Sequence, residues 1–264
     1  MKLRKEPPPI RAIEYVGGKA VMFSIGIGQL VMLVFDMISR FPRLLRRPRL
    51  LVDQMDSIGF RSLPLVIFAS LFTGAVSAAQ AGYQMQDYAP LSLIGAAVGK
   101  AVILELGPVL TALVVAGRVS TSIAAELGTM RVTEQIDALE TMAIDPVWYL
   151  AAPRFFAGLF MMPVLVIVSS IVAILGGYLV SNIMIDISTA TFFNGVKMLF
   201  AIYDVVINQT KALIFGGVVT LSGIFFGYRA GGGAEGVGQA TINAVVTAAV
   251  LILVFDYLIA EVML

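Results

Sequence analysis

The sequence predicts an all-α polytopic membrane protein, and three observations predict it. Of the 264 residues, 59% are apolar and only 13% are charged, where soluble domains average about half and about a quarter. Mean hydropathy is +0.93. The charges are unevenly placed: residues 1–61 hold 11 of the 18 basic side chains against 5 acids, with Arg40, Arg43, Arg46, Arg47 and Arg49 crowded together. The remainder divides into apolar segments with few charges, each longer than the roughly 20 residues a helix needs to cross the hydrocarbon layer.

Taken in order, residues 1–12, with Pro7-Pro8-Pro9, read as a flexible cytoplasmic tail. The apolar stretch at 19–38 starts like a signal peptide but has no small-residue cleavage site before the arginines. Were it to span, six arginines between Arg40 and Arg61 would lie outside, against the positive-inside rule. It therefore reads as a helix lying in the cytoplasmic interface. A second amphipathic piece at 48–60 links it to the first span. No charge falls between Arg61 and Asp87, which sets the first span at about 62–84. The second covers about 90–116 and carries Lys100 and Glu105. The third, about 155–182, lies in the longest uncharged run, Arg154 to Asp186. A fourth at about 208–228 contains Lys211, and a fifth at about 239–262 contains Asp256 and Glu261. With the N-terminus inside, 15 basic residues fall on the cytoplasmic side and only Lys197 outside, with Lys100 and Lys211 within spans. That asymmetry favours five crossings. The chain thus reads as one unit, with a cytoplasmic tail and interfacial helices over 1–61 and a five-span bundle over 62–262.

Composition also excludes. Eighteen basic residues against seventeen acids give no case for nucleic-acid binding, and the absence of His and Cys removes zinc sites, disulfides and Ser-His chemistry. Gly99-Lys100 is no phosphate loop: Gly95 is one residue too close, and Ala101 stands where Ser or Thr is required. The chain carries no ATP site of its own, so an ATP-driven role needs a partner subunit. Gly95/Gly99, Gly223/Gly227 and Gly176-Gly177 sit at spacings that let helices pack closely, and Pro108 and Pro163 should distort their helices.

Intramembrane charges need partners or water. Glu105 and Lys100 are five residues apart, about 140° around a helix, and are poor partners for each other. Glu105 is either part of a translocation pathway or the structural partner of Arg118 or Lys100; both readings stand. Lys211 and Asp256 are expected to form an ion pair. In the loop at 117–154, Val132, Ile136, Leu139 and Ala143 recur at helical spacing, with Arg131 at the start and Pro146 as the stop. Such a helix either docks its apolar stripe into a groove of a soluble subunit or lies on the membrane surface.

The run Ala125-Glu126-Leu127-Gly128-Thr129-Met130, then Glu134-Gln135-Ile136-Asp137-Ala138-Leu139, with Met142, Pro146 and Pro153-Arg154, resembles the signature of the MlaE/YrbE permease family. So do Glu105-Leu106-Gly107-Pro108, Ala116-Gly117-Arg118, Gln80, Gly227-Tyr228, Gly236 and Ala240-Thr241. The likeness covers roughly residues 15–262. It implies that 1–264 form a single permease domain of an ABC-type phospholipid transporter in the bacterial inner membrane, with a cytoplasmic N-terminus. It implies a homodimer, an ABC ATPase that binds the ATP, an MCE-domain periplasmic lipid-binding protein and, in some systems, a STAS-domain protein. The segment 131–143 would be the coupling helix, with Glu126, Gly128, Arg131, Glu134, Gln135, Ile136, Asp137, Ala138 and Leu139 forming or supporting the ATPase contact. Gly74, Gln80 and Glu105 are lipid-cavity candidates, and Tyr83 joins them on its position near the outer end of span one. Five mostly uncharged helices suit an acyl chain better than a polar solute. Two alternatives remain: an ion-coupled transporter or channel using Glu105 and Lys100, and a non-transporting membrane scaffold.

Overall fold

The computed structural model describes residues 8–85 and 90–263. Residues 1–7 of the proline-rich tail, and Asp87, which closes the first uncharged run, lie outside the described residues. Every regular element among those described is helical, and six helical stretches are long and apolar enough to cross a membrane. Helix α1 runs from Pro8 to Leu44, so residues 8–12, the described part of the expected tail, are helical. Pro8 and Pro9 fall in its first turn, where backbone N–H groups have no helical partner to lose. A short corner leads to α2, Pro48–Ile58, opened by a proline at its first position; it matches the second amphipathic segment. A 3₁₀ turn, Phe60–Ser62, leads to α3, Leu63–Met85.

The second span is much longer than its uncharged run. Helices α4 (Ser92–Ala101), α5 (Gly107–Val115) and α6 (Thr121–Val132) are joined end to end by π-helical segments at Val102–Leu106 and Ala116–Ser120. The result is one 41-residue helical rod, about 60 Å long, twice the hydrocarbon thickness. Charge ends a hydropathic run but does not end a helix. Nothing after Gly117-Arg118 stops the helix until Glu134, so α6 carries the chain well beyond the predicted boundary at 116.

A short α7, Gln135–Thr141, follows. After a π-helical turn, Val147–Ala151, α8 runs from Ala152 to Ile185, α9 from Thr189 to Met198, α10 from Ile202 to Tyr228 and α11 from Gly233 to Met263. Proline accounts for two of the three π segments. Pro108 and Pro153 follow them by two residues and cannot donate back into the preceding turn.

Lipid offers no hydrophobic gain for pairing apolar helices, so close backbone packing has to supply it. On α3, Ser70, Gly74 and Ala78 recur every fourth residue and are all buried. They face Ser169, Ala173, Gly176 and Gly177 of α8. A Cβ on Gly74 would lie 1.7 Å from the Ala173 carbonyl oxygen, and one on Gly176 would lie 2.3 Å from that of Leu71. Ser70 Oγ and Ser169 Oγ are hydrogen-bonded at 2.8 Å across the same seam. Gly158 and Gly216 bring α8 against α10 in the same way. The glycine pairs singled out by spacing all serve contacts within the chain: Gly95 and Gly99 against α9, Gly223 and Gly227 against α6, and Gly176 and Gly177 against α3. Their spacing therefore carries no argument for a second copy.

Among the described side chains, α1 packs on this body through its C-terminal half, where Leu33, Val34 and Phe41 lie against the core. Met37 and Leu44 are fully buried and the Phe41 ring lies 4.4 Å from that of Phe156. Val31, Met32, Phe35 and Ile38 on its other faces are exposed.

Candidate functional site

Two regions carry the charged groups a membrane protein has to justify. The first lies where α4–α6 meets α10 and α11. Pro108 cannot donate to the carbonyls four and five residues back, those of Leu104 and Ile103. Both are recovered from α10: Asn208 Nδ2 donates to Ile103 O at 2.6 Å and Lys211 Nζ donates to Leu104 O at 3.1 Å. The Lys211 ammonium is wholly buried, and it also reaches Glu105 Oε1 at 2.8 Å and Asp256 Oδ1 at 2.7 Å. The Asp256 contact is at ion-pair distance but off the line of a hydrogen bond. One cation therefore serves two carboxylates and a carbonyl orphaned by proline, and ties three helices together.

The expected Lys211–Asp256 pair is present, and Glu105 completes it. Neither of the partners expected for Glu105 from sequence is used. Arg118 Nη1 instead donates to Ser62 Oγ at 2.5 Å and to the Ser57 carbonyl at 3.4 Å, at the α2–α3 corner. Lys100 Nζ donates to both oxygens of Asp204, at 2.8 and 2.7 Å. Asp204 is 6% exposed and also accepts from the Ala201 N–H at 3.1 Å, closing the first turn of α10. Glu105 and Lys100, the two residues of the ion-coupled alternative, thus belong to separate pairs. Sequence reasoning does not reach Asp204 and Asn208. The available signal was their position on the same helical face as the intramembrane Lys211.

Of the cavity candidates, Gly74 does not face open space, because it is buried against the α8 backbone. Gln80 and Tyr83 are exposed near the end of α3, beyond a stripe of exposed Phe68, Phe72 and Val76. Glu105 keeps 43% of its side chain exposed on the side away from Lys211. The gap between α3, α5 and α8, lined by Thr73, Leu106, Leu110 and Thr111, measures only about 10 Å³, room for one water at most.

The second region is the end of α6 with α7. Helix does not run through 131–143 as expected. Glu134 is left-handed at φ 59° and turns the chain between α6 and α7, so that Arg131 lies in the last turn of one helix and Gln135 begins the next. Helix α7 closes with the Ala143 N–H on Glu140 O and the Ile144 N–H on Leu139 O, both at 2.9 Å. This is a Schellman motif with alanine where glycine is usual, at φ 56°. Replacing Ala143 by glycine is expected to stabilise this turn by about 1 kcal/mol, readable as slower hydrogen exchange of α7 amides.

The apolar stripe points the opposite way from the docking expectation. Ile136 is 3% exposed, and Leu139 packs beside it on the core. Gly128 is buried against Ala230 and Val237. The outward face consists of Glu134, Gln135, Asp137, Ala138 and Met142, with Arg131 and Asp137 paired across the turn. Glu126 lies on an open cleft of about 650 Å³ with Thr129, Met130 and Gln135. Its carboxylate holds the Arg154 guanidinium at 2.7 Å. Arg154 is itself buried and donates to Leu150 O at 2.7 Å. Tyr228 donates from α10 to the Pro146 carbonyl at 3.0 Å. Ile136 is thus occupied and Leu139 partly so by this chain's own core, and the face left outward is mostly polar, with Met142 exposed at its end.

The loop after α7 is clamped to α1 by Arg40, whose Nε donates to Asp145. Burial alone would raise the Asp145 carboxyl. The Arg40 hydrogen bond, the Trp148 and Val147 N–H groups and the Arg40 charge together outweigh burial and hold it below the usual carboxylate range. A carboxyl depressed on folding contributes stability above its unfolded value, about 3.9, and loses it as pH falls through the lower folded value. The clamp should therefore be constant from neutral pH down to about 5 and fail below about 4. Trp148, the single tryptophan, reports this by its emission, and Asp145→Asn should remove the acid transition.

The fold and these sites define a multi-pass helical membrane protein whose charged groups are paired between spans. A family model described as Permease MlaE matches residues 51–262, and the chain belongs to that family of ABC transporter permeases. It is 40% identical over 246 residues to a probable ABC transporter permease protein of Rickettsia conorii, covering 93% of this chain and 95% of the relative. It is 33% identical over 255 residues to the intermembrane phospholipid transport system permease protein MlaE of Haemophilus influenzae, covering 96% and 98%. It is 32% identical over 213 residues to the chloroplastic protein TRIGALACTOSYLDIACYLGLYCEROL 1 of Arabidopsis thaliana, covering 80% and 60%.

Proposed function

We propose that this chain is the permease of an ATP-driven phospholipid transporter of the bacterial inner membrane. In this reading it spans the membrane five times and keeps α1 in the cytoplasmic interface. The charge asymmetry supports that topology. The chain works as a homodimer, whose two exposed α3 stripes of Phe68, Phe72 and Val76 supply the apolar surface an acyl chain needs. The 10 Å³ gap within one copy is far too small for that. ATP is bound by a separate ABC ATPase, an MCE-domain protein exchanges lipid on the outer side, and a STAS-domain protein is a further candidate subunit. The cargo class rests on the full-length likeness to a permease named for phospholipid transport.

The observation that carries the coupling assignment is the exposed polar face of α7, presented at the end of a 41-residue rod that also holds Glu105. The ATPase meets Gln135, Asp137 and Ala138, while Ile136, Leu139 and Gly128 brace the turn from behind. Ala138→Arg changes only the outer face. The full-length protein, purified from its own membranes in mild detergent, should bring down an ABC ATPase as the wild type and lose it as Ala138→Arg, with an unchanged elution volume. Undiminished recovery of the ATPase with Ala138→Arg would overturn the assignment.

A further inference from the structure

The arginine cluster does more than fix topology. At the corner between α1 and α2 the chain forms a pocket of about 380 Å³ against the loop that follows α7. Arg43, Arg46 and Arg47 line it on one side and Ile144, Asp145 and Trp148 on the other. None of these three arginines makes an ion pair among the described residues. The one acid in the wall, Asp145, is already engaged by Arg40 and by the N–H groups of Val147 and Trp148. The Arg47 guanidinium lies over the Trp148 ring, 5.7 Å from its centre, a cation–π distance that fixes both side chains. The Trp148 Nε1–H is buried and has no acceptor among the described residues. That indole N–H is sealed from the pocket, so the surplus there is of positive charge: three uncompensated guanidinium groups, which an anion of several oxygens satisfies.

We infer that this pocket binds the phosphate of an acidic phospholipid headgroup from the adjoining leaflet. Leu45 and Val52 flank the corner and are 60% and 58% exposed, so the pocket opens beside an apolar surface suited to the lipid's chains. Trp148 and Tyr149 stand at the start of the candidate span Val147–Ile185, and span ends are where aromatic side chains anchor to headgroups. The bound phosphate joins α1 to the loop behind α7, in parallel with the Arg40–Asp145 clamp. The site is separate from the Glu105 region and from the exposed face of α7, and it stands whether or not the transport reading holds.

Trp148 makes the test direct, because all tryptophan emission comes from the pocket. The full-length protein in phosphatidylcholine nanodiscs is titrated with phosphatidylglycerol brominated on its acyl chains, and separately with brominated phosphatidylcholine. Quenching by the acidic lipid should saturate at a much lower mole fraction. In Arg43→Gln/Arg46→Gln the half-saturation point should rise about 30-fold, the value for loss of two interfacial arginines. The charge-matched control, Arg49→Gln/Arg61→Gln, should leave it unchanged, and Arg43→Lys/Arg46→Lys should recover part of the preference. Equal quenching by the two lipids, or equal loss in the control, would mean only a diffuse basic surface and would overturn the site. Abolition of the acidic-lipid effect by millimolar inorganic phosphate would make the ligand a soluble anion and overturn the lipid assignment.

Discussion

Lys211→Met is expected to destabilise the protein by about 3–5 kcal/mol, the cost of removing one partner from a buried charged group. The methionine fills the volume, but Glu105 and Asp256 then face each other without a cation, and the Leu104 carbonyl that Pro108 leaves open loses its donor. Thermal unfolding in detergent should show the drop. Adding Glu105→Gln and Asp256→Asn to Lys211→Met removes the orphaned charges and should recover most of the lost stability, since a buried ion cluster often contributes little net stability over neutral groups. The same triple variant separates structure from mechanism. If lipid transport returns with stability, the triad is a structural fastener. If the protein folds as well as the wild type yet moves no lipid, the charge on Glu105 acts in transport.

Gly74→Leu should be the most damaging single change in the bundle. The first carbon of any side chain at this position would fall 1.7 Å from the Ala173 carbonyl oxygen, and that oxygen belongs to helix backbone which cannot move aside. Helices α3 and α8 must separate, breaking the Ser70–Ser169 bond and the Gly176 contact with Leu71 along the same seam. The expected loss exceeds about 4 kcal/mol, in the range reserved for disrupted cores, and is read as failure to recover monodisperse protein. Val76→Leu, two residues on and exposed, is the control and should purify as the wild type. Were Gly74→Leu to fold normally, the close α3–α8 seam would be wrong.

Much of the fold is legible in the order of the residues. The long apolar helices and their succession, the amphipathic α2, and the expectation that Lys211 finds Asp256 all come from hydropathy and from the cost of a lone charge in lipid. The MlaE resemblance, read over roughly residues 15–262 and most specific over 105–154, is met by the family match over 51–262. The site is less legible. Lys211 can be paired with Asp256 because both lie near the same membrane face. Glu105 cannot be placed with them, because its partner depends on how far α4–α6 is rotated through the π segment at Val102–Leu106. The stripe of Ile136 and Leu139 reads as apolar, but an amphipathic pattern names a buried face without naming what buries it. In this chain its own core does so, and the polar side faces outward.

Residue order is enough to set the class of protein, its apolar helices and the groups that could not be left alone in lipid, because these follow from local sums of transfer free energy. The tertiary structure alone decided who answers each of them: Lys211 for Glu105, Asp204 for Lys100, Arg154 for Glu126, Asn208 for the Ile103 carbonyl. Pairing depends on the rotation and depth of one helix against another, and those are set by glycine contacts and proline-opened turns many residues away.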